Sequence, residues 1–197
     1  MSGTASPVPA LERAPAAAPI AGAVLLHPHP AMGGNRFNHV VDALYRALPG
    51  AQVSAYRFDF SSEVPAVASS EAAAAVAAIA AEDPGRPVLV IGYSFGADIA
   101  TTVDGPSVAG WFLIAPPLRI VAAAAVVAAG DPRPTGIAVP EHDQFTPPAR
   151  VAEETVGWAN CTTEVIAAAD HFLAGATGAL TAAVLAWIER PDGPLAG

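Results

Sequence analysis

The chain has 197 residues with nine basic and 18 acidic side chains, a formal net charge of −9, and every basic residue is an arginine. Without lysine there is no Walker-A phosphate loop, Schiff-base chemistry or Ser–Lys dyad, and the acidic balance without a basic run argues against nucleic acid or an anionic membrane surface as partner. A single cysteine, Cys161, excludes an intramolecular disulfide, a Cys-based zinc site and a CxxC redox pair, and reads as an inert thiol.

Hydrophobic residues make up 53% of the chain, yet 47 positions are Ala, a strong helix former and a weak core former. The length suits one domain. Residues 1–20, with Pro7, Pro9, Pro15 and Pro19, read as a flexible Pro/Ala-rich segment. No apolar run follows a basic start, so a secretory signal is not expected. The folded domain is expected at 21–190, followed by a short tail at 191–197. The longest apolar stretches, at 72–81 and 120–129, are too short to span a bilayer, which predicts a cytoplasmic protein.

The sequence AGAVLLH (21–27) is a continuous apolar run closed by Pro28, the pattern of a buried parallel strand. Val40, Val41, Leu44, Tyr45 and Leu48 recur at helical spacing before Pro49-Gly50, predicting a helix over 38–48. A second strand is expected at 52–58 and an Ala-rich helix at 64–82, stopped by Asp83-Pro84-Gly85. PVLVIG (87–92) is the clearest strand, followed by a helix at 95–103 and a strand at 108–115. The Ala/Val segment at 120–129 reads as a short helix. Strands at 135–139 and 163–167 flank a helix at 147–159, and a helix over 171–189 closes the chain. Six apolar strands alternating with helices predict an open, mostly parallel six-stranded α/β sheet with helices on both faces. Sites in such sheets lie beyond the carboxyl ends of the strands.

Gly92-Tyr93-Ser94-Phe95-Gly96 is a GxSxG sequence between the clearest strand and a helix. A strand-to-helix turn this tight would project Ser94 above the sheet with the backbone N–H of Phe95 facing the same space. A serine hydroxyl needs a base, and that base must be oriented. Of His27, His29, His39, His142 and His171, only His171 follows the last strand, at the expected start of the final helix. Asp143, just past the fifth strand, is the preferred acid; Glu141 is the alternative, and Asp59 after the second strand a further one. Asp170 is badly placed to hold the ring of its own neighbour. The order Ser94, Asp143, His171 is that of the α/β-hydrolase arrangement.

His27-Pro28-His29-Pro30, followed by Gly33-Gly34, comes directly after the first strand. The loop here would supply the second N–H of an oxyanion hole. Pro28 and Pro30 have none, so the donor is His29 or a residue as far as Met32. The His27 and His29 imidazoles could instead ligate a metal, but no well-spaced further ligand accompanies them, so no metal site is expected.

Together LLHPHPAMGG, NHVV, YRFDF, GYSFGA, PEHDQFTPP and ADHF resemble the short α/β-hydrolases with an HPHP motif, relatives of the dienelactone-hydrolase-like group. The resemblance covers about 21–188. It implies a Ser94–Asp143–His171 triad, an oxyanion hole from the N–H groups of Phe95 and His29, and a sheet whose two antiparallel starting strands are reduced or missing. Where such proteins often carry an RGxGxS-like loop, this sequence has Phe60-Ser61-Ser62-Glu63.

The sequence therefore reads as a serine hydrolase acting on a small-molecule ester, thioester or amide without a cofactor. Only about twenty residues separate the strands at 108–115 and 135–139, too few for a helical cap. The rival reading is a non-catalytic binding or scaffold protein that keeps the fold and the elbow.

Overall fold

The computed structural model describes residues 8–196. Seven strands form one sheet in the order β1-β3-β2-β4-β5-β6-β7, where β1 is Glu12–Ala14, β2 Ala21–Leu26, β3 Val53–Arg57, β4 Val88–Tyr93, β5 Val108–Ile114, β6 Thr135–His142 and β7 Cys161–Asp170. All neighbours run parallel except β1, which pairs antiparallel with β3. The six strands expected from sequence are present and β1 is a seventh.

Side chains alternate between two apolar layers, as the period of a strand requires. Leu89, Ile91 and Tyr93 of β4 face Val40, Val41 and Leu44 of α1 (His39–Ala47) and Leu180, Val184 and Ile188 of α5 (Thr177–Glu189). Val88 and Val90 face the other layer, with α2 (Pro65–Glu82), α3 (Phe95–Ala100) and α4 (Pro148–Glu154). In α2 the buried Ala68, Ala72 and Ala75 let the helix lie close on the sheet. A Cβ at Gly22 would sit only 2.7 Å from Ile79, so the Ala and Gly content serves this close packing.

Three expectations need correction. The segment 1–20 contains β1: Glu12 pairs in register with Arg57, whose buried guanidinium bonds the Glu12 carboxylate at 3.0 and 3.1 Å and Asp42 at 2.9 Å. A three-residue strand held by ion pairs, Glu12 with Arg57 and Arg36 and Arg13 with Glu82, leaves no hydrophobic pattern to read. Residues 1–7 of that segment and Gly197 of the expected tail lie outside the described residues.

The segment 120–129 contains only one 3-10 turn, Ala123–Ala125. Its flanking N–H groups are taken up elsewhere: Asp98 accepts those of Leu118, Arg119 and Ile120, and the Thr101 carbonyl accepts those of Val127 and Ala128. The last helix begins at Thr177, not at 171. Leu173 and Gly175 adopt positive φ and form a turn first, so His171 lies in a loop after β7. Among the described residues no helix is long and apolar enough to cross a membrane.

Candidate active site

The carboxyl ends of β2, β4, β5, β6 and β7 converge on one cleft of about 260 Å³. Ser94 follows β4 directly and has φ 52° and ψ −116°, a conformation unfavourable for a side-chain-bearing residue. Its neighbours explain why the turn can exist. A Cβ on Gly92 would lie 2.1 Å from the carbonyl oxygen of Gly96, and one on Gly96 would lie 2.3 Å from that of Leu26 in β2. Backbone meets backbone at both points, so only glycine fits. Phe95 is the first residue of α3, and no carbonyl of the helix is available to its N–H.

Ser94 Oγ lies 2.9 Å from His171 Nε2, and His171 Nδ1 lies 2.8 Å from Asp143 Oδ2. Asp143 is buried in the loop after β6, and its other oxygen accepts the N–H groups of Phe145 (2.8 Å) and Thr146 (3.0 Å). Burial alone would raise the Asp143 carboxyl, but the bonds from His171, Thr146 and Phe145 outweigh it and hold it below the ordinary carboxylate range. An ionised Asp143 accepts the Nδ1 proton, which leaves the Nε2 lone pair for the Ser94 hydroxyl.

The alternative acids are committed elsewhere. Glu141 is exposed and accepts the N–H of Ala168 at 2.7 Å, next to the register shift between β6 and β7. Asp59 accepts the N–H of Arg36 at 2.7 Å and pairs with its guanidinium. Asp170 accepts the N–H of Phe172 at 3.0 Å.

Of the two histidines of the HPHP segment, His29 lines the cleft and His27 does not. The His29 carbonyl accepts the N–H groups of Met32 and Gly34, closing a tight turn, and its ring meets that of Phe95 edge to face at 5.0 Å. His27 is buried, with Nδ1 2.6 Å from the Pro28 carbonyl and Nε2 accepting the Phe60 N–H at 2.9 Å. Both nitrogens are thus engaged with backbone, and burial pushes the imidazole below its ordinary value. Through Phe60, His27 anchors the loop where Phe60-Ser61-Ser62-Glu63 departs from the expected pattern, and Ser61 there bonds the Glu71 carboxylate through its N–H and hydroxyl. Among the described residues no group of three His, Cys, Asp or Glu is placed to hold a metal. The half-buried Cys161 thiol, at the far end of β7, is pushed up to about 11 by burial.

Three contributors escaped the sequence reading. Tyr93, inside the GxSxG string, donates its buried hydroxyl to the His171 carbonyl at 2.9 Å. Asp98, one turn past Ser94, pins the loop after β5 with three bonds of 2.8 to 2.9 Å. Arg119, on that loop, lines the cleft. The single available signal was an Asp in an otherwise apolar helix start.

No family model matches the chain, and no curated protein does. Solved structures do. An α/β serine hydrolase homologue from Coxiella burnetii aligns at a TM-score of 0.79 with 21% identity, covering 89% of this chain and 88% of that one. An α/β serine hydrolase without a lid from Xanthomonas campestris gives 0.76 and 22%, covering 89% and 86%. A protein of unknown function from Agrobacterium tumefaciens gives 0.81 and 25%, covering 91% and 89%. The chain has the α/β-hydrolase fold. Among the described residues the connection from β5 to β6 holds only the 3-10 turn at Ala123–Ala125 and no helical lid. In the α/β-hydrolase fold the GxSxG turn lies between a central strand and its following helix, where Ser94 lies here.

Proposed function

We propose that the protein is a serine hydrolase that cleaves an ester, thioester or amide of a small molecule through an acyl-enzyme. The observation behind this reading is the unbroken hydrogen-bonded line Ser94–His171–Asp143 at an open, largely apolar cleft. Ser94 Oγ attacks the acyl carbon while His171 Nε2 takes its proton. The imidazolium is held by ionised Asp143. The developing oxyanion is met by the N–H groups of Phe95 and His29.

His29 is chosen as second donor by elimination. Met32, Gly33 and Gly34 spend their N–H groups inside the turn and Pro28 and Pro30 have none; of the two left, His29 and Ala31, His29 is the one whose ring touches Phe95. The tetrahedral species collapses as the bond to the leaving group breaks, and Nε2 returns its proton to that group. A water molecule then repeats the sequence on the acyl-enzyme, releases the acid and restores Ser94. These steps call for no cofactor. The lidless cleft suits short or exposed acyl groups.

The same reading places the chain among the short HPHP-motif hydrolases related to the dienelactone-hydrolase-like group, supported by the position of His27-Pro28-His29-Pro30 beside the elbow. We also propose a cytoplasmic location, from the shortness of the apolar stretches at 72–81 and 120–129.

The test is turnover of a short p-nitrophenyl ester by the parent and by Ser94→Ala. The variant should lose hydrolysis and keep its melting temperature, because the Ser94 side chain is only partly buried and its hydroxyl bonds His171 alone. Equal turnover by both would overturn the reading. Activity should also survive a metal chelator.

A further inference from the structure

The chain is short of positive charge, and nearly all of it is neutralised. Eight of its nine arginines form ion pairs with carboxylates among the described residues. Arg119 forms none, and its side chain is exposed. It is also the one arginine lining the cleft that holds Ser94 and His171. No carboxylate lines that cleft, although acidic residues outnumber basic ones two to one in the chain. Scattered at random, surface charge would put acids there first.

The backbone under Arg119 is fixed with unusual firmness for a loop. Asp98, 1% exposed, accepts the N–H groups of Leu118 (2.8 Å), Arg119 (2.9 Å) and Ile120 (2.8 Å), and Leu118 is held at φ 55°. The Asp98 carboxylate feels the Arg119 charge, but its oxygens are taken up by these three groups and form no ion pair with the guanidinium. A buried carboxylate in α3, the helix that begins at the Ser94 turn, thus fixes the backbone of one wall of the cleft, and the unpaired Arg119 stands on that wall. Phe145 and Phe172 supply apolar surface to the same cleft: their rings stand 4.6 and 5.8 Å from that of His171.

Resting on the hydrolase reading above, we infer that the preferred substrate carries a carboxylate, which Arg119 binds while Ser94 attacks the ester carbonyl. A guanidinium grips a carboxylate with two parallel N–H···O bonds, and the surrounding negative charge of the chain makes that local cation the discriminating feature. The carboxylate belongs either to the acyl part or to the alcohol part of the ester.

Matched esters decide the question. For the acyl side, mono-4-nitrophenyl esters of adipic and suberic acid are compared with their neutral ω-carboxamides. For the alcohol side, the butyrate of 4-hydroxybenzoate is compared with that of 4-hydroxybenzamide. The readout is the ratio of kcat/KM, charged over neutral, which cancels any general loss of activity. In the parent, one of the two arms should favour the charged ester by about five- to tenfold, chiefly through KM, and added salt should erode the preference.

In Arg119→Gln that ratio should fall to about one, and in Arg119→Glu it should invert. Melting temperatures of both variants should match the parent, because only the backbone N–H of residue 119 bonds the fold. A ratio near one in both arms of the parent, or a ratio untouched by Arg119→Gln, overturns the inference while Ser94-dependent turnover of the neutral esters leaves the hydrolase reading standing. If no ester is turned over at all, the hydrolase reading fails and this inference fails with it.

Discussion

Asp143 and His171 meet through a single 2.8 Å bond between Oδ2 and Nδ1, and the aspartate's other oxygen is fully occupied by two backbone N–H groups. The carboxylate is thereby fixed in plane and charge before any substrate arrives. That arrangement separates it from Glu141, two residues earlier, which faces solvent and props the N–H of Ala168. Asp143→Asn should lower turnover by roughly 10³–10⁴-fold, because the imidazole loses its working tautomer and the charge that stabilises its protonated form. Glu141→Gln should lower it by no more than about threefold, since that residue only supports the loop. Steady-state kcat for the two variants, each checked for an unchanged melt, provides the measurement.

The elbow tolerates no side chain at Gly96. A Cβ there would sit 2.3 Å from the Leu26 carbonyl oxygen, in the middle of the β2–α3 contact. Gly96→Ala should therefore cost at least about 3 kcal/mol of stability, by forcing α3 off the sheet. Urea denaturation measures this. A variant as stable as the parent would show that α3 can retreat without penalty.

His27 predicts a pH dependence of stability. Its Nε2 accepts the Phe60 N–H, so protonation deletes an acceptor inside the fold, and burial holds the imidazole below its ordinary value of 6.5. The unfolded chain thus takes up a proton at a pH where the folded chain does not. The stabilisation is present above pH 6.5 and is lost as pH falls through the folded pKa. His27→Leu should melt below the parent at pH 7.5, and the gap should narrow as pH is lowered to 5.5. A gap that stays constant across that range would contradict this assignment.

The parallel sheet was legible because β2, β4 and β5 are unbroken apolar runs bounded by Pro and Gly, which few other structures accept. That Ser94, Asp143 and His171 meet was legible because chemistry and chain order restrict the candidates to a handful, each following a strand. What escaped was structure built by single polar contacts. Arg57 recruits Glu12–Ala14 as β1, and Asp98 diverts the N–H groups of 118–120 away from a helix that Ala content favours. The same holds for the turn at Leu173 and Gly175, which displaces His171 from the helix start into a loop. Such contacts join residues far apart in the chain, and no local pattern announces them.

In the proposed reaction everything depends on the activation of Ser94 by His171 and Asp143. Incubating the full chain with a fluorophosphonate and mapping the adduct by peptide mass spectrometry tests it most directly, since the probe phosphonylates a serine whose hydroxyl proton is removed as fluoride departs. One adduct is expected, on Ser94, absent in Ser94→Ala and slowed by orders of magnitude in His171→Gln. A folded parent chain that takes up no probe, or takes it up elsewhere while Ser94 stays unmodified, would contradict it.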